Sequence, residues 1–260
     1  MVDRDFSRQN FLGDDSQEVF ESTHVSVVGC GGGGSQIGTA LSHIGFLNYT
    51  LVDPDTVDNS NLVRMLGATK QDVEEETPKI KIVERVIKGI NPNANVELVD
   101  KRWQDAIGTS KLSKSKIIFS CLDSLRDRLE LEAFARRHNI IVIDFGTTIY
   151  GEKGNYASCG QVVMSKPGGP CFRCVGFITD KALELEDQKY GAAGMRPQVV
   201  WSNGILANLA IGLAVDLLTS WSNDPKEVFY VHYDGNKLEL KPNPNMKKLS
   251  EKALSCKCYG

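Results

Sequence analysis

"VVGCGGGGSQIG", residues 27–38, sets five glycines in the seven positions 29–35, directly after the apolar run HVSVV. An apolar strand that opens through a glycine-rich turn into a helix is the entry of a nucleotide-binding βαβ unit. Bare backbone N–H groups and the positive end of the helix can then face a phosphate. Gly29, Gly31 and Gly34 satisfy G-x-G-x-x-G. Asp53 follows nineteen residues after Gly34, at the end of the next apolar run, where a carboxylate can accept hydrogen bonds from a ribose. A nicotinamide dehydrogenase fits these residues as well as an ATP enzyme does. A turn that merely lets helix and strand pack closely is the plainer alternative, and the register of strand, helix and acid counts against it.

Outward from this loop, strand-length apolar runs alternate with helix-period segments. SQIGTALSHIGF, YTLVD, PKIKIVERVIKGI with Ile80, Val83, Ile87 and Ile90 on one stripe, NVELV, KIIFSCLD, LRDRLELEAFARRH and IIVIDFG follow in turn. The pattern predicts an α/β fold, a Rossmann-like doubly wound and mostly parallel sheet. After about residue 150 it changes to GQVVM, the segment KPGGPCFRC, a polar stretch TDKALELEDQKYGAAG and a long apolar helix. VFYVHYDGNKLEL then predicts an antiparallel hairpin turning at Asp234, Gly235 and Asn236. We divide the chain into an N-terminal helical arm (1–24), a part built on the glycine loop (25–150) and a cysteine-bearing remainder of the same domain (151–260).

Composition narrows the class. The 260 residues carry 30 Lys and Arg against 33 Asp and Glu, a net charge of −3 that offers no global basic field for nucleic acid. Residues 199–218 are apolar enough to suggest a membrane span, but Ser202, Asn203, Asn208 and Asp216 interrupt them, so a buried core helix is expected and no membrane. Seven cysteines and an N-terminus without an apolar signal segment lead us to expect a reducing cytoplasm.

The charges after the loop separate dinucleotide from triphosphate, since exposed β and γ phosphates call for side-chain cations or a metal. LVDPDTVDNSNLVR supplies Asn61 and Arg64, Lys79 opens the next helix, and Asp123 ends the run IIFSCLD, where a lone carboxylate can hold Mg²⁺. Each has a bland alternative taken singly: Arg64 and Lys79 as solvated surface charges, Asp123 as the N-cap of the following helix. As a set they favour ATP.

In order, RDFSRQNFLG, VVGCGGGGS, LVDPDTVDNSNLVRMLG with Lys79, CLDS at Asp123, GGPCFRC and a terminal cysteine pair resemble the E1-like, ThiF–MoeB–HesA family of adenylating enzymes. That resemblance implies that Gly29, Gly31, Gly32, Gly34, Asp53, Asp55, Asn61, Arg64, Lys79 and Asp123 hold ATP with Mg²⁺. Arg64, Lys79 and Asp123 serve the reaction itself, and Arg8 reaches across a homodimer into the partner's site. Cys30 and Gly33 depart from the aliphatic residues that relatives often carry in the loop. The implied reaction joins AMP to the C-terminal carboxylate of a small ubiquitin-like, β-grasp protein ending in Gly-Gly. It needs no base, because that carboxylate is already ionised. Relatives that go on to a thioester use a crossover cysteine, and residues 175–197 contain none. Cys30, Cys121 and Cys159 sit in or beside apolar runs and are expected to be buried thiols.

Cys171 and Cys174, with Cys256 and Cys258, match a structural Cys₄ zinc site, although the second pair is C-x-C where relatives have C-x-x-C. Free thiols or a redox pair are the alternative there. For the whole chain the alternatives are adenylation of a peptide or a modified tRNA nucleoside, a non-catalytic partner subunit of the same fold, and, more distantly, a nicotinamide oxidoreductase.

Overall fold

The computed structural model describes residues 4–108, 111–189, 197–219, 221–222, 224, 226–246, 256 and 258–259. Eight strands form one sheet: β1 (His24–Val28), β2 (Asn48–Val52), β3 (Asn95–Val99), β4 (Ile117–Ser120), β5 (Ile141–Glu152), β6 (Asn155–Ser165), β7 (Tyr230–Asp234) and β8 (Glu239–Pro242). Their spatial order is β3-β2-β1-β4-β5-β6-β7-β8. The first five pair in parallel and the last three run antiparallel, as the change of pattern after residue 150 predicts. The helices are α1 (Ser16–Ser22), α2 (Gly32–Ile44), α3 (Lys70–Glu74), α4 (Lys79–Ile90), α5 (Leu125–Arg137), α6 (Asp180–Lys189) and α7 (Val200–Leu218).

Alternation along the strands splits the interior into two cores. Val25, Val27, Tyr49, Leu51, Ile117, Phe119, Ile143 and Phe145 face α2, α4 and α7. Val28, Val52, Ile118 and Val142 face Leu131 and Phe134 of α5. Ile80, Val83 and Ile87 are buried, as the stripe on α4 predicts, while Ile90 at its end is half-buried. The long apolar helix is the core helix α7: Leu206, Ala207, Ala210 and Ala214 are buried, and it packs on α2, β5 and β6.

One element exceeds its sequence prediction. β5 does not stop at Gly146 but runs to Glu152, and GQVVM is only the second half of β6, so the two make a hairpin of 12- and 11-residue strands turning at Lys153 and Gly154. Residues 147–152 lack apolar alternation because they reach past both cores; Tyr150 and Tyr156 near the tip are exposed.

Gly29 has φ +92, and a Cβ there would lie 2.6 Å from the Cys121 carbonyl oxygen. Gly29→Ala should therefore lower stability by about 2 kcal/mol or more, from left-handed strain plus the clash. Gly89→Ala on the exposed side of α4, where a Cβ meets nothing within 4 Å, should instead raise it by up to about 1 kcal/mol. Urea midpoints of the two variants check both signs.

Candidate active site

β1 lies between β2 and β4, the point where the strand order reverses, and the segments leaving the carboxyl ends of these three strands enclose a cavity of about 490 Å³. Ligands of open α/β sheets bind at such switch points. α2 starts at Gly32 behind Gly31 with no side chain capping its first turn, and a Cβ on Gly31 would meet open space. Backbone donors and the positive helix end are thus offered to whatever fills the cavity. Gly34 sits behind the loop, where a Cβ would fall 2.0 Å from the Gly29 carbonyl oxygen, so it serves the close packing of helix on strand.

Asp53 is buried beside the loop, one oxygen accepting the Cys30 N–H at 2.6 Å and the other the Asp55 N–H at 2.9 Å. Burial raises its pKa, against the pull of Lys79 and these two backbone donors. Asp55 pairs with the Lys79 ammonium at 2.7 Å and accepts the Lys79 backbone N–H at 3.0 Å, which orients the lysine towards the cavity it lines. Asp58 and Asn61 exchange hydrogen bonds in a capping box around the 3-10 turn Asn59–Asn61, and Arg64 donates to the Ser60 carbonyl at 2.6 Å. Asp123 is exposed three residues beyond β4. The N-cap of α5 is Ser124, whose hydroxyl accepts the Asp127 N–H, so capping is not the role of Asp123. Gly29, Gly31, Gly32, Asp53, Asp55, Asn61, Arg64, Lys79 and Asp123 all line the one cavity. Arg8 does not: it is exposed on the 3-10 helix Ser7–Leu12 of the N-terminal arm.

Several lining residues carry no signal in the motifs. Arg128 of α5 is buried, donates to the Leu122 carbonyl through Nε at 2.8 Å and also through Nη2, and pairs with buried Asp144 of β5 at 2.9 Å. It thereby holds the turn that presents Asp123. Burial pushes Asp144 up to about 6, against Arg128 and the Ser120 hydroxyl, so it is the carboxylate at neutral pH. Glu186 of α6 accepts the Leu125 N–H at 2.9 Å and the Arg126 N–H at 3.3 Å, and Asp187 pairs with the Arg126 guanidinium. The polar stretch after the first cysteine pair is thus helical over α6 and docked on the first turn of α5.

The sulfurs of Cys171, Cys174, Cys256 and Cys258 lie within 4.8 Å of one another, with Cys174 at 3.5, 3.8 and 3.9 Å from the other three. A tetrahedral ion with Zn–S bonds of about 2.3 Å sets its sulfurs about 3.8 Å apart, so this donor set fits one zinc, the C-x-C pair included. None of the four borders this cavity. Glu132 of α5 accepts the Phe172 N–H at 2.7 Å, and Arg136 donates to the carbonyls of Lys166 and Gly169, holding the first cysteine pair's loop.

Against known proteins, the ThiF family model matches residues 2–258. The chain belongs to the ThiF family. The SAMP-activating enzyme E1 of Haloferax volcanii is 29% identical over 164 residues, covering 63% of this chain and 57% of that protein. The molybdopterin-synthase adenylyltransferase of Escherichia coli is 26% identical over 238 residues, 88% of each chain. The tRNA threonylcarbamoyladenosine dehydratase of Escherichia coli is 30% identical over 230 residues, 88% of this chain and 76% of that one. Among solved structures, Escherichia coli MccB superposes with a TM-score of 0.75 at 16% identity, covering 94% of this chain and 70% of that one, a likeness of fold.

The remaining thiols of this ThiF-family chain are poorly suited to nucleophilic work. Burial pushes Cys30 and Cys121 well up, reinforced by Asp53 and Asp144 respectively, and burial raises Cys159 as well. Only Cys30 is fully buried; Cys121 and Cys159 are half-buried, and Cys121 borders the cavity.

Proposed function

We propose that this chain is an ATP-dependent adenylyltransferase acting on the C-terminal carboxylate of a small ubiquitin-like, β-grasp protein ending in Gly-Gly. The observation that carries the reading is the convergence of an uncapped glycine-rich helix start, Arg64, the Asp55-oriented Lys79 and the carboxylate of Asp123 on one cavity. In the reaction a carboxylate oxygen attacks the α phosphorus, the bond to the bridging oxygen breaks, and pyrophosphate leaves with the electron pair. No proton moves. Asp53 holds the ribose, Asn61, Arg64 and Lys79 hold the phosphates, and Asp123 is the residue that would ligate Mg²⁺. When bound, that ion neutralises charge developing on the departing pyrophosphate. The crossover carries no cysteine, so the acyl-adenylate passes to another sulfur or conjugation protein without a conventional crossover thioester. The four cysteines hold structural zinc, in keeping with a reducing, cytoplasmic setting.

Arg8 is assigned to the partner's site in a homodimer, where it adds a cation at the leaving group. Mixed dimers of Arg8→Ala and Asp123→Ala should then recover activity, since one of the two sites regains both residues; no recovery would place Arg8 outside the partner's site. The similarity to a dehydratase of tRNA threonylcarbamoyladenosine favours, as the second reading, a carboxylate on a modified tRNA nucleoside. The net charge of −3 weighs against it. ATP–pyrophosphate exchange separates the two: dependence on one β-grasp protein supports the first, dependence on tRNA the second, and exchange with neither rejects both.

A further inference from the structure

Asn203 has no part in the reading above. It is the fourth residue of α7, is 3% exposed and borders the nucleotide cavity. Its Oδ1 accepts a hydrogen bond from the Thr147 hydroxyl at 3.3 Å, which turns Nδ2 the other way. Nδ2 is fully buried and finds no acceptor among the described residues. Its direction is given by a neighbour: a Cβ built on Gly32 would lie 2.6 Å from Asn203 Nδ2 and 3.2 Å from Arg64 Cγ. The unsatisfied donor therefore lies against the first residue of α2, beside Arg64.

Buried donors without acceptors are rare and unfavourable, so an acceptor belongs at this point in the working protein. An acceptor at the positive end of α2, against the aliphatic stem of Arg64, is an anion. Asp53, which the reading above gives to the ribose, accepts from Cys30, whereas Asn203 meets the loop two residues later at Gly32, so we assign the anion to the triphosphate's free end. We infer that Asn203 is a further ligand of the nucleoside triphosphate, donating Nδ2 to an oxygen of the β or γ phosphate. The inference rests on the adenylation reading. It also explains Gly32 beyond backbone approach, since a side chain there would occupy the space of the donor.

The test is titration of ATP and of AMP, each with Mg²⁺, into wild-type protein, Asn203→Ala and Asn203→Asp. Aspartate keeps the shape and the bond from Thr147 but removes the donor. ATP should bind about tenfold or more weakly to Asn203→Ala, the range for a hydrogen bond to a charged group, and more weakly still to Asn203→Asp, while AMP binding stays within about twofold for all three. If wild type binds ATP and Asn203→Ala binds it equally well, or if ATP and AMP weaken together in both variants, the assignment fails and adenylation stands. Wild type that binds no nucleotide overturns the adenylation reading and this assignment with it. Thermal melts of the variants, expected close to wild type, confirm that the comparison is between folded proteins.

Discussion

Asp123→Ala should lower ATP–pyrophosphate exchange by on the order of 10³-fold or more, the scale expected when a metal's several kcal/mol of charge stabilisation is lost. The fold should not notice. Asp123 is exposed, and the N-cap of α5 belongs to Ser124. The turn that carries it is held from behind by two Arg128 donors on the Leu122 carbonyl, and Gln198 donates to its carboxylate at a long 3.5 Å. The urea midpoint and the zinc content should therefore match wild type, and the residual exchange should lose its dependence on Mg²⁺ concentration. Exchange within about threefold of wild type would remove Asp123 from the site, and with it the argument that the cavity was built for a triphosphate.

The second large effect is on stability. Cys174 touches all three other sulfurs, so Cys174→Ala should abolish zinc binding, and a strong chelator should do the same to wild type. Zinc in isolated fingers contributes roughly 10–16 kcal/mol of folding free energy. The first pair's loop here is already anchored by Glu132 and Arg136, so the loss should be smaller. We expect about 4 kcal/mol, or a fall in Tm of roughly 8–16 °C for a chain of this size. Exchange activity at 25 °C should survive, because no cysteine of the cluster borders the cavity. Reduced protein that holds no zinc, or whose melt ignores the chelator, would sink the metal assignment.

What could be read from the sequence follows a physical line. The βαβ alternation, the glycine loop and Asp53 are local patterns whose period and spacing carry their own meaning, and they sit in the structure where those patterns put them. Residues brought in by tertiary folding were illegible. Arg128 lies in the helix-period segment LRDRLELEAFARRH, whose charges on every side give no inner face away, yet Arg128, Leu131, Glu132 and Ala135 form one buried stripe. Two charges at core spacing were a usable sign, one bordering the cavity and the other holding the cysteine loop. Asn203 read only as a polar interruption of an apolar run, because nothing in the local chain shows that Gly32 will face it. The 147–152 half of β5 was missed since its strand propensity has no core beneath it to impose an alternation.

The packing of α7 on α2 has a consequence for how the chain is made. Ile37 and Leu41 of α2 belong to the same core as Leu206, Ala207 and Ala210 of α7, yet more than 150 residues separate them along the chain. At about 5–20 residues per second of synthesis, the glycine-loop helix and the strands under it wait roughly 8–30 s with one apolar flank uncovered. β5 likewise offers an open edge until β6 follows it. A nascent chain interrupted before residue 218 would carry every nucleotide-binding motif of the first half and no finished core to hold them, so such fragments are expected to depend on chaperones or to aggregate rather than to bind ATP.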